Sequence, residues 1–125
     1  MTKILIISGD LAFDAELNQS PTALAIAENL PIESLANVWG EEIYFEIPIS
    51  MPIEFEAREI MELGELAYWP VGRAFCIFFG PTPVSTDERP RAYSPVNVVG
   101  RVKGDTAGFK SVKNGASVKI QFAGN

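Results

Sequence analysis

The residue types that ordinarily do chemistry are sparse in this sequence. It contains no histidine and one cysteine, Cys76. Those two counts remove Ser-His-Asp and Cys-His nucleophilic sites, His-ligated metal centres and any internal disulfide. What remains is aromatic, acidic and, in a few places, basic. Trp39, Tyr44, Tyr68, Trp69, Phe75 and Phe79 could line a groove, because large rings with a few polar groups make binding pockets; core packing uses the same rings. Arg73 follows the turn residues Pro70-Val71-Gly72 and shares strand phase with Phe75, Ile77 and Phe79. A guanidinium beside rings can bind a carboxylate or stack on a plane, and burying it unpaired is costly. Arg73 is therefore expected at the rim of the main concave site, close to Tyr44 or Trp69. The candidate ligand-binding set is Glu42, Tyr44, Trp69, Arg73 and Phe79, with no catalytic residue assigned.

Glu41, Glu42 and Glu46 offer oxygen ligands for a hard cation, or a pair for acid–base work. Strand alternation puts Glu42 and Glu46 on one side and Glu41 on the other, which leaves too few clustered carboxylates for a Ca²⁺ cage. No metal and no cofactor is expected. Cys76, between Phe75 and Ile77, reads as a buried, inert thiol. The glycines of GDTAG, 104–108, lack the GxxxxGK[ST] pattern and a following helix, so they do not make a phosphate loop.

The elements that must position these residues are short. Residues 3–17 read as a hairpin: a β-branched run, the turn Ser8-Gly9-Asp10, then Leu11, Phe13, Ala15 and Leu17 alternating with polar or small neighbours. Ser20-Pro21 is a helix start, and Ala23, Ile26, Ala27 and Leu30 follow one helix face until Pro31, which predicts a helix over about 21–30. Ile43, Phe45 and Ile47 alternate with Glu42, Tyr44 and Glu46; if the first three point inward, Tyr44 lies outside. Residues 65–69, 73–79, 96–102 and 117–122 are four further strand candidates. The proline-bearing stretches 48–63 and 81–95 read as long connections.

At 125 residues, 47% hydrophobic and 21% charged, the chain is expected to fold as one domain spanning 1–125 without a staple. No apolar run is long enough for a membrane span, and the apolar stretch of MTKILIISGD is too short for a secretory signal, so a cytoplasmic location is expected. The net charge of −6 is divided unevenly: residues 1–62 carry −10 and residues 63–125 carry +4. The two halves either interleave in one fold or leave an acidic face for a basic partner. No basic stripe with interleaved aromatics suggests nucleic acid.

Several stretches together carry a family resemblance. Gly64-Glu65-Leu66, Phe78-Phe79, Val98-Val99-Gly100-Arg101-Val102 and the closing Val118-Lys119-Ile120 resemble successive strands of the cyclophilin peptidyl-prolyl isomerases. Asn37 to Phe45, Tyr68-Trp69-Pro70 with Gly72-Arg73-Ala74, and Phe78-Phe79-Gly80 with Thr82-Pro83 are closer still to the single-domain cyclophilin-like proteins of bacteria and archaea whose function is unassigned. The strand pattern by itself gives a mainly β fold of about eight strands with one or two short helices, a sandwich or a closed barrel; the resemblance implies the closed β-barrel. Cyclophilins carry catalysis on an arginine in a Phe-His-Arg strand and on a Gln-Gly-Gly segment nearby. The corresponding strand here, Glu42-Ile43-Tyr44-Phe45-Glu46, offers neither. The expected function is therefore a non-isomerase binding domain for a peptide segment or small molecule, with a rearranged prolyl isomerase as the alternative.

Overall fold

A computed structural model describes residues 1–124. Strands β1 (Thr2–Ser8) and β2 (Leu11–Leu17) form the expected hairpin, in register from Thr2 opposite Leu17 to Ser8 opposite Leu11. Its turn relies on Gly9, whose φ of +59° is ordinarily reserved for glycine. Alternation then buries Ile4, Ile6, Phe13, Ala15 and Leu17 on one face. Helix α1 (Pro21–Glu28) opens with Ser20, whose hydroxyl accepts from the Ala23 amide at 3.2 Å, and with Pro21 in its first turn. It packs against β2 and β9 through Thr22, Ala23 and Ile26.

The chain continues through β3 (Ile32–Leu35), β4 (Asn37–Trp39), β5 (Glu42–Glu46), β6 (Arg58–Ile60), β7 (Glu65–Trp69), β8 (Ala74–Phe78), β9 (Arg91–Val102), a 3-10 turn (Ala107–Ser111) and β10 (Ser117–Phe122). Ten strands thus stand among the described residues, against about eight expected. Seven of them match strands placed from sequence; the other three are β3, β4 and β6, each too short to show a period. Strand β9 also begins at Arg91, inside the segment expected to be loop.

All ladders are antiparallel, and the strands are ordered β3-β10-β1-β2-β9-β7-β8-β5-β4, with β6 paired to β9. The fold is mainly β, but hydrogen bonds do not close the sheet. Its end strands β3 and β4 share no ladder and are joined through Ala36.

One large apolar core fills the concave side. It takes Ile43, Phe45 and Ile47 from the β5 segment, and Phe75, Ile77 and Phe79 from the β8 segment. A second, smaller cluster covers the opposite face, built from Met61, Ala67, Cys76, Phe78, Ala92 and Val96. Strand β8 is therefore buried on both sides, which is why its sequence, AFCIF, is continuously apolar rather than alternating. The two differently charged halves interleave: five of the six ion pairs among the described residues join a residue of 1–62 to one of 63–125.

Candidate functional site

The second cluster makes a pocket on the convex face. Strand β9 is twelve residues long. Its C-terminal part pairs with β7 and β2, while Arg91 to Val96 pairs with β6. This first half lays Ala92, Tyr93 and Val96 over the outward residues of β4, β5, β7 and β8. The half-open cavity measures about 170 Å³, and its remaining walls are Trp39, Glu42, Tyr44, Trp69 and Cys76. Glu42, Tyr44 and Cys76 come together because Tyr44 lies opposite Cys76 and Glu42 opposite Phe78 in the β5–β8 ladder.

The four rings are arranged as walls. Tyr44 and Trp69 have centroids 6.4 Å apart at 82°; Trp69 and Tyr93 are 6.1 Å apart at 79°; Trp39 and Tyr93 are 6.1 Å apart at 73°. Two restraints hold Trp69. Its indole N–H donates to Ser94 Oγ at 2.6 Å. Gly72 lies against its ring so closely that a Cβ there would sit 2.5 Å from Cε3 and Cζ3.

Glu42 is the one acidic side chain in the lining, and it is only 5% exposed. Its Oε1 is inaccessible to solvent and has no hydrogen-bond partner. Burial raises its pKa from an ordinary 4.5 to about 7, and the neighbouring Cys76 thiol pulls it partly back. The Cys76 thiol is itself pushed well up, by burial first and then by the charge on Glu42. Its Sγ donates weakly to the Ala74 carbonyl at 3.8 Å. The sequence expectation of a buried, inert thiol therefore matches its environment, although it lies at a pocket wall. No lysine or arginine lines this pocket.

Of the five residues singled out from sequence, the fold brings Glu42, Tyr44 and Trp69 together and leaves two elsewhere. Phe79 belongs to the main core, where its ring lies 5.9 Å from that of Phe109. Arg73 is not in the phase of Phe75, Ile77 and Phe79. It precedes β8, at φ +50°, in a turn closed by its own N–H donating to the Pro70 carbonyl at 3.3 Å. Its exposed guanidinium faces Glu46 at 3.7 Å and does not line the pocket. A positive φ rotates a side chain out of the alternation that sequence spacing assumes. Tyr68 and Phe75, also candidates, are fully buried core residues. Tyr93 was missed because it lies in the proline-rich stretch read as loop. Among the described residues, no three acidic or cysteine side chains group closely enough to hold a metal ion, and no helix is long and apolar enough to cross a membrane.

Fold and site together define a mainly β domain that carries an outward-facing aromatic pocket with one buried acid. The chain belongs to the cyclophilin-like family, whose family model matches residues 2–121. It is similar to the solution structure of the hypothetical protein AF2241 from Archaeoglobus fulgidus, with 40% identity, a TM-score of 0.83, and coverage of 98% of this chain and 95% of that one. It also resembles in fold the structure of McbB in complex with tryptophan, at 16% identity and a TM-score of 0.71; 98% of this chain matches 45% of that one. The comparison with curated proteins finds no match.

Proposed function

We propose that the protein is a ligand-binding domain, not a prolyl isomerase, and that its ligand enters the pocket between β4, β5, β7 and the outer half of β9. The ligand is a small molecule, or one side chain of a peptide segment. The observation that carries this reading is the unpartnered, buried Glu42 Oε1 in a lining otherwise made mostly of rings. A buried acid without a counter-charge is costly, and a ligand that brings a donor or a positive charge to the wall that Glu42 forms recovers part of that cost. Contact is assigned to Glu42, Tyr44 and Trp69, joined by Trp39 and Tyr93, and not to Arg73 or Phe79. An isomerase needs donors to stabilise a twisted amide in a dry cleft. Here the lining lacks arginine and lysine, and its buried polar oxygen is an acceptor. The sheet is read as a barrel whose seam is bridged by the chain itself, from β3 through Ala36 to β4.

Both tryptophans of the sequence, Trp39 and Trp69, line this pocket, so intrinsic fluorescence reports on it directly. Titration with a panel of aromatic and aliphatic amides and amines, with free tryptophan included because McbB holds it, is expected to give at least one saturable change. A proline-peptide isomerisation assay is expected to give no turnover. Silence across the whole panel, or turnover comparable to an authentic cyclophilin at matched concentration, overturns the proposal.

A further inference from the structure

We infer that the pocket recognises an organic ammonium ion, held by the faces of Tyr44, Trp69, Tyr93 and Trp39 and neutralised by the Glu42 carboxylate. The inference rests on the binding role proposed above and names the ligand's chemistry. Three features converge on it. The four rings touch edge to face, at 73–82°, and all four line the cavity; ring faces attract cations through their quadrupoles. The acid beside them has an unpartnered buried oxygen. Among the described residues no lysine or arginine lines the pocket; Arg73 faces Glu46, and Lys110 faces Glu41, at 3.7 Å each.

The groups that share the pocket lining with Glu42 are Tyr44 on its own strand, Trp69 on β7, Cys76 on β8, Trp39 on β4, and Ala92, Tyr93 and Val96 on β9, none of them cationic. A neutral apolar ligand would satisfy the rings and leave the buried acid without a counter-charge. An anion would be repelled by it. A cavity of about 170 Å³ suits a compact alkylammonium head group, either of a free molecule or at the end of a methylated lysine side chain. Because the acid ionises near pH 7, a permanently charged ligand must displace its proton, and binding should strengthen with rising pH.

The test uses tryptophan fluorescence on the whole chain with three probes: choline, N-acetyl-trimethyllysine methylamide and 3,3-dimethylbutan-1-ol, the neutral isostere of choline. At least one cation is expected to bind with a Kd about tenfold lower near pH 8 than near pH 6, the ratio set by one group ionising between them. The isostere should bind at least about tenfold more weakly and without pH dependence. Which cation binds more tightly separates a free molecule from a modified side chain. Glu42→Gln should weaken the cation and flatten its pH dependence. Tyr93→Ala, at an exposed rim residue whose loss leaves the core intact, should weaken it while keeping the tenfold pH ratio. An isostere that matches the cations overturns the ammonium reading but leaves the pocket a ligand site. Silence from both cations at tens of millimolar also overturns it, while the binding role itself is judged on the wider panel.

Discussion

Replacing Glu42 with glutamine should change how stability depends on pH, with a sign and size fixed by the site. The carboxyl ionises at about 7 in the folded protein against 4.5 ordinarily, chiefly because burial disfavours the charged form. Below the lower value both states hold the proton and the group contributes nothing to pH dependence. Between the two values the unfolded chain releases the proton and the folded chain keeps it, so stability falls as pH rises, by about 1.4 kcal/mol per pH unit. Above about 7 both states are ionised and the loss levels off. The interval of about 2.5 pH units gives a total of about 3 kcal/mol, an order-of-magnitude value. Glu42→Gln carries no titrating proton. The stability of the wild type minus that of the variant should therefore drop by about 3 kcal/mol from near pH 4.5 to near pH 8.

Urea unfolding of both proteins at four or five pH values measures this difference, provided the slopes agree between them. The remaining carboxylates cancel in the subtraction. A constant penalty for burying the glutamine amide shifts the curve without tilting it. Parallel pH profiles, or a wild type that gains on the variant as pH rises, would refute the assignment of a buried acid whose ionisation is opposed mainly by burial.

Three further substitutions test the scaffold. Gly100 lies opposite Leu17 in the β2–β9 ladder, and a Cβ there would run into the Glu16 carbonyl oxygen; Gly100→Ala should cost about 3 kcal/mol or more, and a loss below about 1 in urea unfolding would contradict this close approach. Buried Asn97 donates to Thr22 Oγ1 and to the Pro52 carbonyl, both at 3.0 Å, and accepts from the Glu54 amide at 2.8 Å; Asn97→Ala should cost about 3 kcal/mol and speed amide exchange at Glu54, and unchanged exchange there would show that the network does not pin this loop. Arg73 holds a left-handed conformation that costs a non-glycine residue about 1–2 kcal/mol, whereas its exposed pair with Glu46 contributes about 0–1. Arg73→Gly should therefore raise the melting temperature slightly and leave any pocket ligand's affinity unchanged; weakened binding would return Arg73 to the site.

What the sequence disclosed follows how many residues each element uses to announce itself. The hairpin at 2–17 and the β5 strand alternate over five residues or more, so their inward faces, and with them the outward position of Tyr44 and Glu42, were legible before any coordinates. The β8 run was legible as buried but not as buried twice. Phe75 and Ile77 face the main core, Cys76 and Phe78 the second cluster, and a continuous apolar run carries no sign of which neighbour covers each side. That second cover is β9, and its first half was hidden by chemistry that ordinarily argues against a strand. Pro90 and Pro95 bracket Arg91 to Ser94, yet the proline within the strand falls where the ladder to β6 shifts register, between Arg91 and Val96, a place where a missing amide donor is tolerated. Without β9 there is no lid, and without the lid Glu42 reads as one more solvated glutamate on an acidic half-chain. Its burial is a tertiary fact: Tyr93, Ala92 and Val96 come from 50 residues and more along the chain. Arg73 fails in the opposite direction. Its neighbours in sequence are the right ones, but one positive φ ahead of β8 turns the guanidinium toward Glu46, so a residue chosen for its phase ends on the surface while Glu42, chosen beside it, becomes the pocket's one buried acid.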